Sequence, residues 1–95
     1  MSDIIKFTVK SLNGDSYKMT EKITTTVGSV MNKIQTVSNG KYPSNSVRLI
    51  YAGKDISSDS DKNRTIDDFG LAENSTLFIV MRLDGGHGGM EIVQE

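Results

Sequence analysis

Thr76-Leu77-Phe78-Ile79-Val80-Met81-Arg82-Leu83-Asp84-Gly85-Gly86 reads as a closing β-strand that runs into a diglycine. Leu77 to Met81 is an unbroken apolar run rich in aromatic and β-branched residues, which suit a pleated, packed surface. Successive side chains of a strand point to opposite faces. With Leu77, Ile79 and Met81 turned toward a core, Phe78 and Val80 face the other way. A continuous apolar strand normally belongs to a sheet covered on both sides. This chain has one convincing long helix, so one side of the sheet should stay open. An exposed apolar patch on a small domain usually marks a place where a partner docks.

Upstream of that strand, Val47-Arg48-Leu49-Ile50-Tyr51 is a second strand with Val47, Leu49 and Tyr51 on one face and Ile50 on the other. Ala52-Gly53 turns the chain into a short strand ending at Ile56. Ser57 to Asn63 contains no apolar residue and reads as a solvated loop. Thr65-Ile66-Asp67-Asp68-Phe69-Gly70 is one helical turn, capped by Thr65 and closed by Gly70. Further back, Ile5, Phe7 and Val9 alternate with Lys6, Thr8 and Lys10, the pattern of a half-buried strand. Asn13-Gly14 is a hairpin signal, because both residues tolerate positive φ. Tyr17 and Met19 continue on the returning strand. Glu21 breaks the alternation at an inward position, and Ile23 is the alternative occupant of that space. Val27, Val30, Met31 and Ile34 lie on one face of a helix. Thr26 is its N-cap and Asn39-Gly40 its end. Gly28 lowers helix propensity by up to about 1 kcal/mol, so core packing must hold this helix. The expected core is Ile5, Phe7, Val9, Met19, Val27, Val30, Ile34, Leu49, Ile56, Ile66, Leu71, Leu77 and Ile79. Two hairpin strands, a helix and later strands make an α+β domain, a mixed sheet of four to five strands packed on one main helix.

Ninety-five residues suffice for one domain with a modest core. The formal net charge of -1 carries no nucleic-acid footprint. With no cysteine there is neither a disulfide framework nor a thiolate metal site. No apolar stretch approaches membrane-spanning length. Met1 to Lys6 lacks the layout of a signal peptide, so a reduced intracellular setting, cytoplasmic and/or nuclear, is expected. An enzyme is not expected: the sole histidine, His87, lies in the tail, and no paired carboxylates are evident. Asp59, Asp61 and Asn63 alternate as calcium-loop ligands do, but the glycine and closing glutamate of that motif are missing, so they read as solvated. No cofactor and no metal are expected.

Arg48-Leu49-Ile50-Tyr51-Ala52-Gly53-Lys54 resembles the R-L-I-F-A-G-K run of the ubiquitin family. Ser75-Thr76-Leu77 and Arg82-Leu83-Asp84-Gly85-Gly86 resemble its S-T-L and R-L-R-G-G. The similarity extends from about Ile5 to Gly86. It implies the ubiquitin-like β-grasp for residues 1–86, with 87–95 as a flexible C-terminal tail. It also implies a partner-binding face made of Leu12, Ile50 and Val80, with Phe78 where the family has histidine. Arg82 would be read by an activating enzyme, and Arg82, Leu83, Gly85 and Gly86 would serve activation and processing. Only glycine lets a backbone pass through the narrow channels of such enzymes. Gly86 gains a reactive carboxylate only if the chain is cut before His87. Lys54 matches a chain-linking lysine, and Lys10 and Lys33 match other family lysines.

Besides Phe78, the sequence departs from the family pattern elsewhere, and Ala72-Glu73-Asn74 has no lysine where another chain-linking site would lie. Asp84 replaces a basic residue beside the diglycine, Asp15 replaces a hairpin lysine, and the loop of residues 57–63 is longer. The resemblance therefore implies a divergent, monomeric ubiquitin-like protein modifier made as a precursor. Its partners would be activating or conjugating enzymes, processing proteases and ubiquitin-binding modules, with no nucleic acid and no membrane. The alternative is a non-conjugated ubiquitin-like interaction domain at the N-terminus of a larger protein, with Gly85 to Gly89 as a linker.

Overall fold

The computed structural model describes residues 3–81. In chain order the elements are β1 (Ile4–Ser11), β2 (Ser16–Lys22), α1 (Val27–Val37), β3 (Val47–Tyr51), β4 (Lys54–Asp55), a single 3-10 turn (Ile66–Phe69) and β5 (Thr76–Met81). The strands form one mixed sheet in the order β2-β1-β5-β3-β4. Neighbouring strands run antiparallel except the central pair, β1 and β5, which are parallel. A parallel pair needs a long crossover, and everything from β2 to the 3-10 turn lies within it.

The Asn13-Gly14 signal marks the hairpin between β1 and β2, as expected, although the two residues do not both adopt the positive φ they tolerate. Only Gly14 does, at φ +94°. Its amide donates to the Ser11 carbonyl at 3.3 Å, and the Ser11 amide donates to the Asp15 carbonyl at 2.9 Å. This is a three-residue loop with glycine in the left-handed position. The Ser11 hydroxyl accepts from the amides of Asn13 and Asp15, which rigidifies the loop.

Helix α1 starts where its sequence signals place the start. Thr26 has extended backbone, and its hydroxyl accepts from the Ser29 amide at 3.2 Å. Left-handed Asn39 and Gly40 end it. Gly28 has a tertiary reason to be there. Its amide donates to the Lys62 carbonyl at 2.8 Å, and a Cβ on Gly28 would stand 3.3 Å from that oxygen. The loop after β4 is therefore laid directly against the first turn of the helix. Thr26 and Thr65, each the N-cap of its own helix, are joined by an isolated antiparallel bridge.

All thirteen expected core residues are buried in one cluster, joined by Met31, Tyr42 and Val47. Tyr42 was not legible as core, since it lies in an irregular segment. Its ring meets Tyr17 edge-on at 6.2 Å between centroids, and its hydroxyl donates to Asp15 Oδ2 at 2.6 Å. Lys41 reaches the same oxygen at 2.7 Å. Asp15 thus ties the hairpin to the segment after α1.

Three further expectations need correcting or completing. Glu21 itself fills the inward position, only 7% exposed, with its Oε2 held at 2.7 Å by Lys33 from α1; Ile23 packs half-buried beside the core. Ser57 is buried rather than solvated: its hydroxyl accepts from the Leu49 amide at 3.0 Å and donates to Asp55 Oδ1 at 2.7 Å. It supplies a ladder bond that β4, two residues long, is too short to provide. Met81 is 43% exposed despite its inward parity. The pairing of β1 with β5 stops at Ser11 and Ile79, so among the described residues Met81 has a strand partner only in Val47 of β3.

Ile34 is fully buried. Ile34→Ala is expected to cost about 2–5 kcal/mol, measured by denaturant unfolding, as large-to-small core changes do. A second prediction concerns acid. The Lys41 ammonium, and then the Tyr42 hydroxyl, hold the Asp15 carboxyl below its ordinary value of 3.8. A depressed folded-state pKa gives stability that is present above 3.8 and lost as pH falls through the lower folded value. Asp15→Asn should therefore lower thermal stability at neutral pH and flatten its loss in acid.

Candidate interaction surface

Helix α1 packs on one side of the sheet and presents Val27, Val30, Met31 and Ile34 to it. The registers decide what lies on the other side, because directly paired residues share a face. Ile50 of β3 pairs with Phe78 of β5, and Arg48 pairs with Val80. Lys10 of β1 is the register partner of Phe78 on its other flank. Asp55 of β4 pairs with Ile50. One row of the open face therefore reads Lys10, Phe78, Ile50, Asp55, and the next holds Val80 and Arg48.

Phe78 is 44% exposed, while Ile50 and Val80 are half-buried. Leu12 is 81% exposed in the hairpin loop. It follows Ser11, the partner of Ile79, and so lies at the Val80 end of the patch. Three of the four sequence-derived binding residues are thus brought together on adjacent strands, and the fourth stands at their margin. Their rim is charged. Arg48 lies 3.9 Å from Asp55, a long and half-open ion pair. Asp55 is held in turn by the Ser57 amide at 2.8 Å. Lys10, Arg48 and Asp55 were not assigned to this surface from sequence; the parity of each strand carries the signal for the first two. Asp55 needed the β3–β4 register.

Lys54 is exposed on β4 with its ammonium 5.3 Å from the centre of the Phe69 ring. Its partner in the ladder is Tyr51, which places it off the patch. In the loop after β4, Asp59 faces Lys62 at 3.3 Å and Asp61 faces Arg64 at 3.7 Å, so these carboxylates are occupied by cations of their own loop. Arg82, Leu83, Gly85 and Gly86, the expected activation and processing residues, lie outside the described residues, as does the boundary expected at residue 86.

The family model that matches the sequence is that of the Ubiquitin family, across residues 7–84. The chain belongs to the ubiquitin family. Its five-stranded mixed sheet on one main helix is the ubiquitin-like β-grasp. As a ubiquitin-like protein it carries Phe78 in the centre of its open face, an apolar ring with no titratable group.

Ile50→Ala should weaken binding of a ubiquitin-binding module by about 1–2 kcal/mol or more, the usual contribution of a central apolar anchor. Titration watched by backbone NMR should move Leu12, Ile50, Phe78 and Val80. Shifts confined to α1 would reject this surface.

Proposed function

We propose that this protein is a ubiquitin-like modifier made as a precursor, cleaved after Gly86 and recognised by its partners through Leu12, Ile50, Phe78 and Val80. The observation that carries the recognition half is the direct pairing of Ile50 with Phe78 on the sheet face that the helix leaves open. Apolar side chains there have no intramolecular cover from α1, and a partner that desolvates them gains their transfer free energy. The processing half rests on Arg82-Leu83-Asp84-Gly85-Gly86 and its likeness to the family tail. Hydrolysis of the bond before His87 frees the Gly86 carboxylate. An activating enzyme can join it to the AMP of ATP with release of pyrophosphate, and a lysine amine can then displace AMP from the activated carbonyl to form an amide. Candidate interactors are activating and conjugating enzymes, processing proteases and ubiquitin-binding modules.

Asp84 sets the specificity of this tail. A carboxylate placed where an enzyme expects a cation brings like charges together at a cost of several kcal/mol. Enzymes tuned to a basic residue should therefore handle this tail poorly, and Asp84→Arg should improve cleavage and activation. The test incubates the full chain with extract of its native cell and looks by mass spectrometry for a species ending at Gly86 and for its lysine adducts. Their absence for both the wild type and Asp84→Arg defeats the modifier reading and leaves a non-conjugated interaction domain.

A further inference from the structure

The open face continues past the apolar patch onto β1 and β2, and there it changes character. Its outward residues are Ile4, Lys6, Thr8 and Lys10 on β1 and Ser16, Lys18, Thr20 and Lys22 on β2. The register pairs Ile4 with Lys22, Lys6 with Thr20, Thr8 with Lys18 and Lys10 with Ser16. No lysine is directly opposite another. The four instead alternate between strands, in the order Lys22, Lys6, Lys18, Lys10. Successive members are diagonal neighbours, about 7–8 Å apart on such a ladder.

All four are exposed. Among the described residues the ion pairs engage Lys33, Lys41, Arg48, Lys62 and Arg64, and none engages these four. The outward face of β1 and β2 carries no carboxylate. Glu21 is turned inward to Lys33. Glu73 approaches the Lys6 end, but its Oε1 accepts from the Lys6 backbone amide at 2.9 Å. Carboxylates gather elsewhere, at Asp59, Asp61, Asp67 and Asp68. Among the described residues, no carboxylate therefore pairs with this positive track, on a chain of formal net charge -1. Neighbouring charges on it lie within about one screening length at physiological salt, so their repulsion persists.

We propose that this lysine track binds an acidic segment of a partner protein in extended conformation. Alternate side chains of an extended peptide recur about every 6.8 Å, the rise of the rows on this face. Carboxylates at every second position therefore meet successive lysines one to one, and the intervening Thr8, Ser16 and Thr20 hydroxyls can bond to the peptide's polar groups. A single-stranded nucleic acid fits less well. Such strands are held by aromatic rings on which bases stack, and no outward residue of β1 or β2 is aromatic. The inference is independent of the apolar patch and of the diglycine.

The test uses the full 95-residue chain and a fluorescein-labelled octapeptide of alternating glutamate and serine, read by fluorescence anisotropy. The same peptide with glutamine for glutamate, and a short oligothymidylate, serve as comparisons. The glutamate peptide should bind, the glutamine peptide should not, and added salt should weaken the complex. The Lys6→Glu, Lys18→Glu double variant should lose on the order of tenfold or more in affinity. If it misfolds by circular dichroism, Lys6→Gln with Lys18→Gln takes its place. Ile50→Ala should leave this binding unchanged, which separates it from recognition at the apolar patch. Absence of binding, equal binding of the two peptides, wild-type affinity in the lysine variant, or tighter binding of the oligothymidylate would each overturn the proposal.

Discussion

One helix can cover only one face of a five-stranded sheet. That geometric constraint organises this molecule. The apolar stripe of α1 meets the inward residues of β1, β5 and β3, and these, with Ile56, Ile66 and Leu71 from the segments beyond β3, close a single core. Burial of this kind is non-directional and scales with area removed from water. It holds a helix that Gly28 would otherwise weaken. Once the inner face is satisfied, the outer face is left to solvent or to partners.

The connection from β2 to β5 is kept in place by backbone bonds as well as by its buried apolar residues. Val27 and Gly28 at the start of α1 donate to the Arg64 and Lys62 carbonyls, and Ile66 donates to the Thr25 carbonyl. These bonds satisfy amides that a helix start leaves without intrahelical partners. At the opposite end of the sheet, Asp15 joins Lys41 and Tyr42 and so fixes the hairpin against the segment after α1. Asp15 thus does structural work at a position where the family resemblance would have a lysine. Both ties lie off the open face and leave it unobstructed.

That face is divided by composition. Its β5–β3 half is apolar, with Phe78 beside Ile50; its β1–β2 half is a zigzag of lysines spaced by threonine and serine. Lys10 belongs to both halves, as the outermost lysine of the track and the neighbour of Phe78. A surface built this way can engage partners by two physically different terms, desolvation of carbon on one side and charge pairing on the other. The first is largely insensitive to salt, and the second is not.

Much of the fold is legible in the residues alone, for local reasons. The alternation of Ile5, Phe7 and Val9, the helical spacing of Val27, Val30, Met31 and Ile34, the caps Thr26 and Thr65, and the closing Gly70 are set by side-chain periodicity and short-range hydrogen bonding. Parity within a strand likewise separates Phe78 and Val80 from Leu77 and Ile79. What the tertiary structure decided are matters of register and closure. Buried Glu21 requires Lys33 from another element, buried Ser57 requires the Leu49 amide, and Tyr42 enters the core with its ring against Tyr17 and its hydroxyl received by Asp15. Met81 loses its cover because β1 ends two residues too soon to flank it. The pairing of Ile50 with Phe78 and the diagonal order of the lysines arise in the same way. Each depends on which residue of one strand stands opposite which residue of another, and no local pattern within either strand encodes that choice.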